Sequence, residues 1–366
     1  MEFTGPLHLK AGAIQEVAPY LKESGYARIA LVADERTRAV AGDWLHAAVS
    51  EAGLHSRMTL IEPNGQGDVI ADEASLVQLI LQLRQDASEI VVAAGSGTLH
   101  DIARFCAYAL GIPFVSVPTA PSVDGFNSVG APLILRGDKQ TIAAIGPDAI
   151  FADLDILTKA PDAMIAAGFG DMLGKYTSLF DWTYGSLTAG EPFSREVFER
   201  TERALLQCVE HCEEIGSRSH RGIETLMRAL LESGFAMLQF GQSQPASGAE
   251  HHLSHYWELE WLRSGRRQLL HGAKVGVACA LLSDRYHELW ESEPSLFPAQ
   301  HREELGAAIG RVPKGSRLRE LLAKVGGPTV PEQLGIDPEL LTRSMREAPL
   351  LRPGRYTLLR AFNERS

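Results

Sequence analysis

Three histidines fall within five residues in the stretch AEHHLSHYWE, residues 249–258. On a helix His251 and His255, four apart, share a face, whereas His252 is turned about 100° away from His251. At first sight the segment resembles the HExxH helix of zinc proteases, in which the second position supplies a general-base glutamate. Here that position is His252, so the protease reading fails. Two other stretches carry metal-binding residue types. AGFGDMLGKYTSLFDW puts Asp171 just inside a helix after a glycine-rich turn, and QLLHGAKVGVACALL puts His271 at the start of an apolar helix. An aspartate and two histidines from separate helices make a three-ligand site with an open position, as a catalytic metal requires. Mixed oxygen and nitrogen donors suit zinc, nickel or iron. Taken singly, each has an ordinary alternative: Asp171 as a helix cap, His271 as a helix-start or core histidine, His251 as a surface residue. Lys175 lies four residues after Asp171 on the same face and Lys274 three after His271, so both are placed to reach an anion near the metal. For Lys175 the alternative is a plain ion pair with Asp171.

A second constellation suits a nucleotide. VVAAGSGTLHDIARFCAYALG sets Gly95-Ser96-Gly97-Thr98 after a strand and at the start of a helix. Backbone N–H groups at a helix start face outward and the helix dipole favours anions, which makes a pyrophosphate cradle. His100 stands where a full GxGxxG would have its third glycine, and a glycine pair also occurs in any tight turn. Asp34, ending the VADE run, reads equally as a ribose ligand or as a helix N-cap. The segment PTAPSVDGFNSVGAPL, residues 118–133, carries Thr119, Ser122, Asp124, Asn127 and Ser128 without hydrophobic periodicity. A polar loop at the carboxyl end of a parallel strand is where open α/β sheets bind ligands.

The elements that must position these residues differ between the two halves of the chain. YARIALVAD (26–34), HSRMTLIE (55–62), SEIVVAAG (88–95) and IPFVSVP (112–118) are short Val- and Ile-rich runs that read as buried strands. Segments of helical periodicity lie between them, so the pattern predicts a largely parallel sheet covered by helices on both faces. From Pro161 onward such runs vanish and long amphipathic runs follow. The expectation is an α/β dinucleotide-binding domain over 1–160 and an all-helical metal- and substrate-binding domain over 161–366, with the site in the cleft between them. The tail after about residue 300 carries no assignable motif and resembles a helical cap.

Composition narrows the partners. The 366 residues are 45% hydrophobic and 22% charged, with a formal net charge of -11. Nucleic acid and anionic membrane both call for a basic surface, so small molecules are the expected partners. The start MEFTGPLHLK lacks the pattern of a secretory signal and no apolar run is long enough to span a bilayer, which together with four scattered cysteines points to the cytoplasm. Cys208 and Cys212 share a helix face without a second ligand pair nearby and read as buried helix residues.

GSGTLHD, PTAPSVDGFNS, GFGDMLGKYTSLFDW, SGAEHHLSH and LLHGAKV occur in this order. Together they resemble the sn-glycerol-1-phosphate dehydrogenase family, within the superfamily of glycerol dehydrogenases, iron-containing alcohol dehydrogenases and dehydroquinate synthases. The resemblance spans about residues 30 to 280. It implies a dehydroquinate synthase-like fold and an NAD(P)-linked, metal-containing alcohol dehydrogenase that reduces dihydroxyacetone phosphate to glycerol 1-phosphate. It implies NAD(H) or NADP(H) contacts from Gly95, Ser96, Gly97, Thr98, Leu99, Asp101, Thr119, Ser122 and Ser128, with Asp34 at the adenine ribose. It implies Asp171, His251 and His271 as ligands of one divalent metal, Asp124 and His255 facing the substrate, and a homo-oligomer. Lys175 is the candidate for the substrate phosphate. Glycerol dehydrogenase, acting without a phosphate, and a dehydroquinate synthase-like cyclase are the alternative activities.

Overall fold

The computed structural model describes residues 3–365. Eight strands are present among them: β1 (Leu7–Lys10), β2 (Arg28–Ala33), β3 (His55–Leu60), β4 (Ile90–Gly95), β5 (Phe114–Pro118), β6 (Gly130–Leu135), β7 (Asp138–Ala143) and β8 (Ala149–Asp153). Six form one sheet in the order β1-β8-β5-β4-β2-β3, and every pairing in it is parallel. Alternation along β4 shows why such strands read as continuous apolar runs. Val91 and Ala93 pack with the helices Glu73–Gln85 and Gly97–Leu110, while Ile90, Val92 and Ala94 pack with Leu21, Leu45 and Val49 on the other face.

The order reverses between β2 and β4, because β3 lies outside β2 on one side and β5 and β8 continue from β4 on the other. Crevices at such reversals, beyond the carboxyl ends of the strands, are the ligand sites of open sheets. Asp34 follows β2 and Gly95 ends β4, so the two segments border one crevice.

Four strands lie within two residues of the runs expected from the sequence. The hairpin β6-β7 does not follow from that reading, which leaves 118–133 as a polar loop. The loop closes earlier, and from Gly130 the chain pairs antiparallel with β7. Its turn is marked by Arg136 and Gly137, both at positive φ (55° and 81°), the pair of left-handed residues that a tight two-residue hairpin requires. β1 and β8 are likewise additional, and they close the far edge of the sheet.

After β8 the chain is helical. The long elements are Asp162–Leu173, Lys175–Ala189, Arg195–Glu210, His220–Phe240, Ala249–Arg263 and His271–Ser292, followed by shorter helices to Asn363. All four cysteines are free and buried, as expected for Cys208 and Cys212. No helix among the described residues is long and apolar enough to cross a membrane.

Glycines allow the contact that matters most for the site. A Cβ added to Gly272 would lie 1.8 Å from the Ala167 carbonyl oxygen, and one on Gly170 would lie 2.4 Å from the Gly272 oxygen. The helices Asp162–Leu173 and His271–Ser292 therefore meet backbone to backbone, which no larger residue permits. That contact sets Asp171 beside His271.

Candidate active site

A cavity of about 610 Å³ runs between the carboxyl ends of the strands and the helical part. One end is bordered by Asp34, Arg36, Ser96, Gly97, Thr98, Leu99 and Asp101, the other by Asp124, His251, His255 and His271.

At the first end, the helix Gly97–Leu110 starts without a side-chain cap. Its first-turn N–H groups have no intrahelical partner and open onto the cavity, so the segment is built for a phosphate chain. Gly97 has Val123 pressed against it, with only 2.7 Å from a would-be Cβ to Val123 Cγ2. His100 points inward: Nδ1 donates to the Ser96 carbonyl (2.9 Å) and Nε2 accepts from Ser116 Oγ (2.8 Å). Burial pushes its pKa down to about 3, so the ring is neutral. Asp34 caps the following turn, one carboxylate oxygen accepting from the Arg36 and Thr37 amides at 2.9 and 2.7 Å. Both sequence readings of Asp34 are thus compatible with one position, since the capping residue also borders the cavity. Ser122 and Ser128 border the cavity as well. Thr119 does not: its amide donates to the Gly95 carbonyl (3.0 Å), extending the sheet, and its side chain is buried.

The polar loop after β5 is held from both sides. The buried Arg104 donates to the carbonyls of Gly125, Phe126 and Gly130 and to Asp101. Asn127 Nδ2 donates to Leu231 O in the helix His220–Phe240. The Asp124 amide donates to Asp171 Oδ2 (3.0 Å), and Asp124 Oδ2 accepts from Ser233 Oγ (2.8 Å).

Asp171, His251 and His271 each offer one donor atom to a common point, all within 4.8 Å of one another. His251 Nε2 lies 3.5 Å from Asp171 Oδ1, close to the separation of two donors about 2.1 Å from a shared ion. The ring is turned that way by Glu250, whose Oε1 accepts from His251 Nδ1 at 2.7 Å. Glu250 is itself fixed by the Gly248 amide and Thr177 Oγ1. Ser254 Oγ lies 3.5 Å from His271 Nδ1. Outer partners of this kind orient a metal's histidines. Burial and the Lys139 charge hold His255 well below the usual imidazole range, so it faces the cavity as a neutral ring. Burial acts against charge on Asp171 too, but the Lys175 ammonium and the two histidines outweigh it, leaving a firm carboxylate. The donor set and its orienting partners fit one divalent ion.

Lys175 is not where a phosphate ligand must be. It is fully buried, and Nζ donates to Asp124 Oδ2 (2.7 Å), Asp171 Oδ1 (3.2 Å) and Ala246 O (3.1 Å). Its three hydrogens are used, so its role is to neutralise two buried carboxylates. Lys274 is equally buried and donates to Glu258 Oε2 at 2.8 Å; Lys139 reaches both oxygens of the same carboxylate. His252 is buried on the far side of its helix, with neither ring nitrogen hydrogen-bonded.

The first part of the chain, residues 8–161, matches the family model for iron-containing alcohol dehydrogenase. The chain is 47% identical to the glycerol-1-phosphate dehydrogenase [NAD(P)+] of Geobacillus stearothermophilus, over 96% of this chain and 90% of that one. Against the protein of the same name from Pyrococcus furiosus the identity is 29%, over 98% and 93%. A probable glycerol dehydrogenase from Sinorhizobium meliloti 1021 superposes with a TM-score of 0.72 at 20% identity, covering 100% of this chain and 99% of that one. This last likeness is one of fold.

Proposed function

The chain belongs to the glycerol-1-phosphate dehydrogenase family, and on that premise we propose that it interconverts dihydroxyacetone phosphate and glycerol 1-phosphate, using NAD(H) or NADP(H) and one divalent metal. The observation that carries this reading is that His251 and His271, which share a donor cluster with the fully buried Asp171, border the same cavity as the uncapped helix start at Gly97. Asp171, His251 and His271 would hold the ion, which supplies Lewis acidity to the substrate carbonyl, and the nicotinamide supplies or takes the hydride.

The chain's own residues do the rest. Amides of Gly97 and Thr98, with Ser96 and Ser122 alongside, hold the dinucleotide phosphates. Asp34 accepts from the adenine ribose and tilts the choice toward NAD(H), because its carboxylate repels a 2′-phosphate. His255, as a neutral imidazole on the cavity wall, holds the water or hydroxyl through which a proton reaches the substrate oxygen. Asp124 orients the substrate hydroxyls from a carboxylate kept in place by Ser233 and Lys175. Lys175 leaves the pair Asp124 and Asp171 with one net negative charge, which offsets half the charge of a divalent ion. The same reading carries a homo-oligomer, a dimer or larger, which light scattering tests.

The decisive assay follows NADH oxidation with dihydroxyacetone phosphate, dihydroxyacetone and glyceraldehyde 3-phosphate on chelated protein reloaded with zinc, nickel or iron singly. Dihydroxyacetone phosphate is expected to be strongly preferred, with turnover lost on chelation. Equal rates with the phosphorylated and free ketone would replace this reading with glycerol dehydrogenase.

A further inference from the structure

We propose that Arg352, with the hydroxyls of Ser243, Ser247 and Thr141, forms the subsite for the substrate's phosphate. This rests on the triose-phosphate reading above and names the group that makes it selective.

Three cationic side chains border the cavity: Arg36, Lys139 and Arg352. Arg36 is exposed and lies beside Asp34, at the nucleotide end. Lys139 is matched by Glu258 through two bonds of 2.8 Å. Arg352 differs from Lys139 in that, among the described residues, its guanidinium pairs with no carboxylate, and from Arg36 in being half-buried among hydroxyls rather than exposed. Its hydrogens point instead at hydroxyls: Nη1 at Ser243 Oγ and Ser247 Oγ, both 3.4 Å, and Nη2 at Thr141 Oγ1, 3.3 Å. Those are long contacts, and hydroxyls can rotate to donate to an entering anion. A planar guanidinium flanked by hydroxyls matches the oxygens of a phosphate dianion. Burial and the neighbouring Arg355 charge pull the Arg352 pKa down to about 10, against a smaller opposing pull from Glu250.

The position suits the substrate end. Ser243, Ser247 and Arg352 border the cavity along with His251, His255 and His271. Ser243 and Ser247 lie in the connection that leads into the His251 helix, so the hydroxyls and the metal ligand share one stretch of backbone. The subsite is also pre-set. Arg355, ion-paired with Glu191, donates twice to Ser247 O at 3.3 and 3.0 Å. The Tyr356 amide donates to Glu191 Oε1 (2.5 Å) and the Leu358 amide to Asp181 Oδ1 (3.0 Å), which fastens the segment that carries Arg352. The tail beyond residue 300 is therefore more than a cap: it supplies a cavity residue.

The test uses the metal-loaded enzyme and the variants Arg352→Gln, Arg352→Lys and Lys139→Gln. Steady-state kinetics are measured with dihydroxyacetone phosphate and dihydroxyacetone, with inorganic phosphate as inhibitor and bound metal quantified. For Arg352→Gln the KM for dihydroxyacetone phosphate is expected to rise about 100-fold, with a far smaller change in kcat and equal metal content. Inorganic phosphate should lose its competitive inhibition by a similar factor, and Arg352→Lys should recover part of both. An unchanged KM and unchanged phosphate inhibition in Arg352→Gln overturn the subsite, as does a loss confined to Lys139→Gln. If the wild type does not prefer dihydroxyacetone phosphate at all, the substrate reading falls. The inorganic phosphate comparison then still decides the anion site: inhibition lost in Arg352→Gln supports it and inhibition retained overturns it.

Discussion

On the sheet side of the cleft, the groups turned toward the cavity are largely backbone amides at the start of a helix, backed by a neutral buried histidine. On the helical side they are side chains, and behind them sit charges buried in sets that join the helices to the loop after β5 and to β7: Lys175 with Asp124 and Asp171, and Lys139 and Lys274 with Glu258. A helix start offers a phosphate chain a binding surface that depends on conformation and hardly on side-chain identity. A metal and a triose need individual donors at fixed places, and those donors carry charges that must be balanced inside the protein. The two sides should accordingly fail in different ways when altered.

The largest effect should come from breaking a charge set. Lys175→Met leaves Asp124 and Asp171 facing each other in the interior without their cation. Removing one partner of a buried ion pair typically costs about 3–5 kcal/mol. The loss should be greatest in metal-free protein and partly recovered by a divalent ion, which supplies positive charge to Asp171. Denaturant unfolding of the variant with and without added metal measures this. Equal destabilisation in both states would show that Lys175 is a packing residue whose charge is incidental.

An intermediate effect should follow from separating the helices while leaving every donor in place. In Gly272→Ala the new Cβ, 1.8 Å from the Ala167 oxygen, must push the two helices apart. Overpacking of this kind costs about 1–3 kcal/mol. It should also lower metal affinity by at least tenfold, read by competition with a chelator, since Asp171 and His271 sit on the two displaced helices. Unaltered metal affinity despite lost stability would detach the glycine contact from the site.

Lys175 and Arg352 show where legibility in the sequence ended. The central strands were readable because each is a short apolar run buried on both faces, and GSG between a strand and a helix advertises its own conformation. The hairpin β6-β7 was missed because its first strand follows a polar loop without a break in composition; the Arg136-Gly137 turn was the available signal. Asp171, His251 and His271 stood out through helical spacing and through the ordered motifs. Lys175 did not reveal its role, since a lysine four residues after an aspartate looks the same whether the pair is exposed or sealed behind Asp124. Arg352 is harder still. Its distinction is that it pairs with no carboxylate whereas Lys139 and Lys274 both reach Glu258, from 119 and 16 residues away, and such pairing is a property of the folded chain alone.

The smallest effect at neutral pH, growing on acidification, tests the neutrality of the histidine behind the glycine loop. His100, fully buried behind the glycine loop, has its pKa pushed down to about 3 by burial. Its unfolded pKa is about 6.5. Between those values the unfolded chain binds a proton that the folded chain refuses, so stability is full above about pH 6.5 and declines as pH falls toward 3. The slope contributed by one such group is about 1.4 kcal/mol per pH unit. In His100→Gln that contribution disappears, and the dependence of urea unfolding on pH below 6.5 should become shallower by that amount, whatever the variant's stability at neutral pH. Parallel profiles for the two proteins would mean that the ring accepts its proton in the folded state. The glycine loop would then rest on a buried charge of its own, beside the Arg104–Asp101 pair of the same helix, and the contrast between the two walls of the cleft would reduce to backbone against side chain.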